Sequence, residues 1–209
     1  MRYQLVIFDF DGTLADSLPW FSRVLNDVAD RYRFRRVAAH EEDMLRAMDG
    51  RELMRHLGIP AWKLPLIVRH MRKRKSQELD QTRLFDGVDR MLRRLAHADI
   101  ATALVSSNTE PNVRTILGAE NASLIRYFEC GASLFGKSSH FRKVLRRSAT
   151  PARDAICIGD ELRDLEAAQK VGIAFGAVTW GFSTAEALIA RSPAVVFRSV
   201  DEIADRLTR

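Results

Sequence analysis

Leu5-Val6-Ile7-Phe8-Asp9-Phe10-Asp11-Gly12-Thr13-Leu14 is the stretch from which the rest of the chain is read. Its apolar, partly β-branched opening predicts a strand over 5–10. The hydrophobicity is continuous rather than alternating, as in a strand covered on both faces of a parallel sheet. Side chains two apart in extended backbone point the same way. Asp9 and Asp11 therefore face one site while Phe8 and Phe10 turn into the core. Gly12 permits a sharp exit, and the N–H groups around it can cradle an anion.

Two carboxyls so placed suit one kind of chemistry. A carboxylate is ionised at neutral pH and needs no base to act as a nucleophile. Its obstacle is repulsion from a phosphate dianion, which a divalent cation relieves. The second carboxyl is positioned to protonate a leaving oxygen and later to activate water. Far along the chain, Ile158-Gly159-Asp160-Glu161-Leu162-Arg163-Asp164 repeats the theme at the end of another apolar run. Asp160 and Asp164 are four apart, on one face of the helix expected to begin there, and magnesium prefers such oxygen ligands. By itself the segment also reads as an N-capped helix with acids in its first turn. Ser106-Ser107-Asn108 closes the strand expected over 101–105 and offers hydroxyl and amide donors to phosphate oxygens. Gly136-Lys137-Ser138 opens a helical pattern, and a lysine there can neutralise a phosphate and hold the nucleophile.

Further strands are expected at 155–158, 173–178 and 194–197, with a weaker one near 128–132. Helical patterns over 88–96, 111–117, 141–147 and 162–171 alternate with them. That alternation predicts a doubly wound, Rossmann-like α/β core with a parallel sheet. The section from 16 to 83 breaks the rhythm. It shows no strand but three helical patterns, over 20–32, 41–57 and 63–79, with Gly58-Ile59-Pro60 stopping the second. Residues 1–15 and 84–209 are read as the catalytic core and 16–83 as an all-helical cap over the sheet's carboxyl edge, where open α/β sheets bind ligands.

The chain of 209 residues is 46% hydrophobic and 29% charged, the composition of a soluble, well-cored protein. No apolar stretch reaches the roughly 20 residues a membrane span requires, and the first residues are too short and too soon acidic for a signal peptide. A cytoplasmic protein without membrane contact is expected. Cys130 and Cys157 sit in apolar runs and read as inert thiols. The net charge of +6 raises nucleic acid as a partner. Yet the densest basic run, Arg69-His70-Met71-Arg72-Lys73-Arg74-Lys75, lacks stacking aromatics and reads as a solvated helix face, or second as a basic surface attracting anionic substrates. No nucleic-acid partner is expected, and the oligomeric state is not legible.

Asp9-Phe10-Asp11-Gly12-Thr13-Leu14-Ala15-Asp16-Ser17 resembles the first motif of the haloacid dehalogenase superfamily, in its phosphoglycolate-phosphatase-like branch. Ser106, Lys137 and Gly159-Asp160…Asp164 stand where the second, third and fourth motifs are expected, so the likeness spans nearly the whole chain. Phe85-Asp86-Gly87-Val88 is similar to the point where such chains re-enter the core after a cap, and Ala177 to Phe182 to the segment following the fourth motif. Ser107 stands where many relatives carry asparagine, Glu161 where many carry serine, and no proline follows Lys137.

The resemblance implies a magnesium-dependent phosphatase acting on a small phosphorylated substrate. Asp9 would be nucleophile and metal ligand, and Asp11 the general acid/base with its carbonyl on the metal. Asp160 and Asp164 would hold or support Mg2+, and Ser106, Ser107 and Lys137 would bind the phosphoryl group. In the Met48-Asp49-Gly50-Arg51-Glu52 segment, similar to the cap's substrate-facing loop in relatives, Arg51 is a candidate for gripping a second anionic group. A phosphomutase, or a non-catalytic phospho-ligand-binding protein that keeps the fold, is the alternative.

Overall fold

The computed structural model describes residues 3–132 and 136–208. β1 (Leu5–Phe8) leads into β2 (Ala15–Asp16), after which come α1 (Leu18–Tyr32), α2 (Glu42–Arg46), α3 (Gly50–His56) and α4 (Leu64–Gln77). β3 (Arg83–Leu84) then pairs antiparallel with β2, closing the base of this helical insert. Helices and strands alternate from there: α5 (Val88–His97), β4 (Ala101–Val105), α6 (Glu110–Leu124), β5 (Tyr127–Glu129), α7 (Lys137–Ser148) and β6 (Ala155–Gly159). α8 (Leu162–Gln169), β7 (Ala174–Val178), α9 (Ala185–Ile189), β8 (Val195–Phe197) and α10 (Val200–Leu207) complete the chain.

The main sheet runs β5-β4-β1-β6-β7-β8, and every pairing in it is parallel. The chain thus builds outward from β1 on one side, returns, and builds outward on the other. The strand order reverses between β1 and β6, and the crevice at that switch point is where such sheets bind ligands.

β1 explains why both faces are covered. Val6 and Phe8 join a core completed by Met91, Leu95, Val113 and Ile203 from α5, α6 and α10. Leu5 and Ile7 point the other way, to Phe141, Val144, Leu165 and Leu188 from α7, α8 and α9. Each such side chain removed from water contributes about 1.5–3 kcal/mol, so the period-two split of one strand ties the two helical layers together.

Three sequence expectations change at the insert. The strand expected to reach residue 10 ends at Phe8, because the chain must bend for Asp9 to Asp11 to meet the site. The helix expected over 41–57 is two helices. Asp49 accepts from the N–H groups of Arg51 and Glu52, and Glu52 accepts in return from the Asp49 N–H, a reciprocal cap that starts α3 afresh. β2 and β3 stand at the two ends of a section in which no strand was expected, and two residues each is too short for a periodic signal.

Candidate active site

The turn after β1 is built by its own backbone. The carbonyl of Phe10 accepts from the N–H groups of Thr13, Leu14 and Ala15 at 3.2, 2.9 and 2.9 Å, and Gly12 at φ +84° makes the reversal. Asp9, whose N–H donates to Ile158 at 2.9 Å, sits at the carboxyl end of β1; Asp160 directly follows β6. The strands that flank the switch point thus deliver the two acids side by side. α8 adds Asp164 from its first turn. Carboxylate oxygens of Asp9, Asp160 and Asp164 lie within 4.8 Å of one another, all three residues being buried. Lys137, the first residue of α7, is buried too: its Nζ stands 2.6 Å from Asp9 Oδ2 and donates to Asp164 Oδ1 at 2.5 Å.

Asp160 is held from two sides. Thr13 Oγ1 donates to one of its oxygens at 2.6 Å and the Phe182 N–H to the other at 2.7 Å. Space around it exists only because Gly12 and Gly181 carry no side chain: a Cβ on either would come within 2.3 Å of the Asp160 carboxylate. Trp180 Nε1 donates to the Thr13 carbonyl at 3.2 Å, fastening the loop after β7 to the turn after β1.

The electrostatics follow from crowding acids in a dry place. Burial pushes the Asp9 carboxyl up, but the Lys137 ammonium and the Arg163 guanidinium more than offset it, leaving the group below its ordinary value of 3.8. Asp160 moves well upward, through burial first and then the charges of Glu161, Asp9 and Asp164. Asp164 is raised as well, by burial and then by Asp9, against the pull of Lys137. Asp11 keeps part of its surface open to a cavity, yet surrounding protein still raises it, with Asp9 adding and Lys75, Ser17 and Asn108 opposing.

Lys137 alone does not balance this cluster. Asp164 Oδ2 is buried without a hydrogen-bond donor among the described residues. A divalent cation would supply the missing positive charge, and the all-oxygen donor set suits magnesium.

The structure brings Asp9, Lys137, Asp160 and Asp164 together in one buried cluster. Asp11 accepts from Asn108 Nδ2 at 3.1 Å. Ser106 is buried at the end of β4, where its Oγ accepts from the Asn108 N–H at 3.0 Å. Ser107 presents its carbonyl to Arg72, and it also lines the cavity next to Asp11. Arg51 is exposed in the first turn of α3 and borders a small recess with Lys137, Arg163 and Lys170 rather than the large cavity.

Three contributors were not singled out by the sequence. Thr13 stands two residues from Asp11, but its partner Asp160 lies 147 residues away, and Asn108, whose amide was expected to serve a phosphate, instead reaches Asp11 across 97 residues. Arg163, whose Nη2 donates to Glu161 at 2.5 Å, carries charge that acts on Asp9. Lys75 corrects the reading of the basic run as a solvated face. It is only 3% exposed, stacks 4.3 Å over the Trp20 ring, and donates to Thr82. Arg69 and Lys73 do face solvent, whereas Arg72 donates to the carbonyls of Ser107 and Ala132 at 2.8 and 3.0 Å. Spacing could have revealed Lys75, which lies on one helical face with Ile67, Val68 and Met71.

An acidic cluster and a buried lysine at the switch point of a 3-2-1-4-5-6 sheet define a Rossmann-like site built around strand-end aspartates. A profile of the haloacid dehalogenase-like hydrolases matches residues 6–178, and the chain belongs to that family. It is 28% identical over 207 residues to a phosphoglycolate phosphatase of Synechococcus elongatus, covering 99% of this chain and 98% of that one. It is also 28% identical over 219 residues to the tyrosine-protein kinase PtkA of Mycobacterium tuberculosis, covering 98% of this chain and 72% of PtkA. The crystal structure of a candidate phosphoglycolate phosphatase from Lactobacillus plantarum superimposes with a TM-score of 0.83 at 21% identity, over 98% of this chain and 99% of that one, a likeness of fold. No helix among the described residues is long and apolar enough to cross a membrane.

Proposed function

We propose that the protein is a magnesium-dependent phosphatase that hydrolyses a small phosphomonoester through a phosphoryl group carried on Asp9. The observation that carries this reading is the contact set of Asp9, Lys137 and Asp164 beside Asp160 at the β1–β6 switch point. Its full-length similarity to a phosphoglycolate phosphatase supports it.

Asp9, depressed below its ordinary value, is an ionised nucleophile at neutral pH. Its oxygen attacks phosphorus as the bond to the leaving oxygen breaks. Asp11, raised by its surroundings, protonates that oxygen as the alcohol departs. The same carboxylate, now deprotonated, takes a proton from water as the water attacks the aspartyl-phosphate. That step releases inorganic phosphate and restores both acids. Lys137, together with Ser106 and Ser107, holds the transferring phosphoryl group, and Lys137 also fixes the nucleophile. Mg2+ would be held by Asp9, the Asp11 carbonyl and Asp160, with Asp164 in support; when bound it screens the phosphate's charge from the carboxylates. The division at 15/16 and 83/84 makes residues 16–83 the cap of this site. Phosphoglycolate, the substrate in the name of the Synechococcus relative, is the first compound to assay.

The test is phosphate release from an aromatic phosphate ester and from phosphoglycolate, with and without Mg2+, beside Asp9→Asn. Mass spectrometry of acid-quenched enzyme reads the phosphorylated residue. Magnesium-dependent turnover that is lost in the variant, with the label on Asp9, is expected. Equal turnover in both proteins, or a label elsewhere, overturns the assignment.

A further inference from the structure

The insert carries apolar stripes that neither hydrophobic core absorbs. On α4, Leu64, Ile67, Val68 and Met71 recur at helical spacing, and Lys75 ends the same face. Phe21, Leu25 and Val28 make the matching stripe on α1. None of these residues belongs to the two close-packed clusters of the protein. Instead the stripes face a cavity of about 370 Å³, to which α3 adds Leu53 and Met54. Phe21, Leu25, Leu53, Met54, Val68 and Met71 all remain half-buried, so the space between the helices is not sealed. Protein interiors normally close such gaps between apolar faces.

The cavity is continuous with the chemistry. Asp11, Ser107 and Asn108 line its catalytic end, and Arg72 and Lys75 put cations beside them. From Leu18 the lining follows α1 to Phe34, beyond the end of that helix. Fifteen residues of helix span about 22 Å at a rise of about 1.5 Å each. At roughly 30 Å³ for each water-sized group, the volume takes about a dozen heavy atoms. A two-carbon acid such as glycolate fills little of it and offers nothing to its apolar walls.

We infer that the substrate is a phosphomonoester of a long apolar alcohol, alkyl, prenyl or aryl, whose phosphate meets Asp9 while its hydrocarbon lies between α1, α3 and α4. This rests on the phosphatase reading above and narrows its substrate class. Each methylene taken into the cavity is worth about 0.8 kcal/mol, or about fourfold in affinity or in kcat/KM until the space is full.

Two series separate this inference from the reading beneath it. Straight-chain alkyl phosphates from methyl to decyl, with phosphoglycolate alongside, are compared by kcat/KM. The matching alkylphosphonates, which cannot be hydrolysed, are compared by calorimetric Kd on the wild-type protein. Both are repeated with Val68→Trp and, in case that protein folds poorly, Met54→Phe. Values should improve about fourfold per carbon, by at least a hundredfold from methyl to octyl. The octyl-to-methyl ratio should fall at least tenfold in a filled variant. Phosphonate affinities that rise with length while no phosphate is turned over would sink the phosphatase reading and leave the apolar site standing. Flat Kd values across the phosphonates, or phosphoglycolate exceeding octyl phosphate in kcat/KM, overturn the inference.

Discussion

Gly181 has no functional atom, yet its replacement by alanine should disable the site. An added Cβ would lie 2.1 Å from Asp160 Cβ and 2.3 Å from Asp160 Oδ2, where ordinary contact begins at 3.4 Å. Asp160 must therefore retreat by about 1.3 Å. It cannot do so and keep both its donors, Thr13 Oγ1 at 2.6 Å and the Phe182 N–H at 2.7 Å. Overpacking costs about 1–3 kcal/mol, and a buried carboxylate oxygen left without its donor adds about 1–3 kcal/mol. Misplacement of a site group by about 1 Å reduces turnover about a hundredfold.

The assay has three readings: chemical denaturation, Mg2+ affinity by calorimetry, and kcat/KM for an aromatic phosphate ester. Gly181→Ala should lose about 2–6 kcal/mol of stability, weaken magnesium and drop about a hundredfold in kcat/KM. Thr13→Val removes one donor without adding bulk and should fall between this variant and the wild type. Gly58→Ala is the control, since nothing lies within 4 Å of its Cβ position and only its φ of +66° is unfavourable. It should cost about 1–2 kcal/mol and leave activity and magnesium affinity unchanged. Gly181→Ala with kcat/KM within about threefold of wild type and unaltered magnesium affinity would refute the close-contact argument.

Glu129 is buried at the end of β5 and meets Lys143, Arg147 and His140 at 2.9, 2.8 and 3.4 Å. Burial pushes its carboxyl up, but these partners outweigh it and hold the group below its ordinary 4.5. Its contribution is therefore complete above that value and is lost as pH falls through the depressed one. Glu129→Gln should cost about 1–2 kcal/mol at pH 7 in denaturant unfolding, with the difference closing below pH 4.5; a gap independent of pH would refute the ionic account. Arg72→Ala removes two hydrogen bonds that tie α4 to Ser107 and Ala132. Amide exchange along α4 should accelerate at least tenfold, and unchanged exchange would show that Arg72 does not latch the insert. Arg51→Ala should raise KM for phosphoesters bearing a second anionic group and leave an aromatic reporter nearly unchanged. Equal effects on both would reject a substrate-side role.

What could be read in advance is local or periodic. Asp9, Asp11 and Asp160 mark strand ends because the apolar runs before them are fully buried, and α/β alternation sets the parallel sheet. What stayed hidden depends on distance or on an exception to pattern. The bond from Thr13 to Asp160 joins loops 147 residues apart, which no spacing rule connects. The basic run of seven residues at 69–75 looks solvated in composition, although one helical face puts Lys75 inward against Trp20. The break before α3 was written as Asp49…Glu52, but the apolar spacing on either side suggested one helix.

The precision of the core and the openness of the insert have a common cause in where side chains are missing. Around Asp160 the backbone supplies the walls, and Gly12 and Gly181 leave room for its carboxylate between two loops. Any residue larger than glycine there would displace a buried acid, so the acidic cluster tolerates little variation in shape. The insert touches this set through a few groups: Arg46 donates to the carbonyls of Phe182 and Gly181 at 3.1 and 3.0 Å, and Phe21 packs edge-on against Phe182 at 5.4 Å. Its remaining apolar faces are free to differ without moving Asp9, Lys137 or Asp160. On the substrate class proposed above, selectivity among phosphoesters is carried by α1, α3 and α4, and changing their lining should alter which alcohol is released while leaving the phosphoryl-transfer chemistry in place.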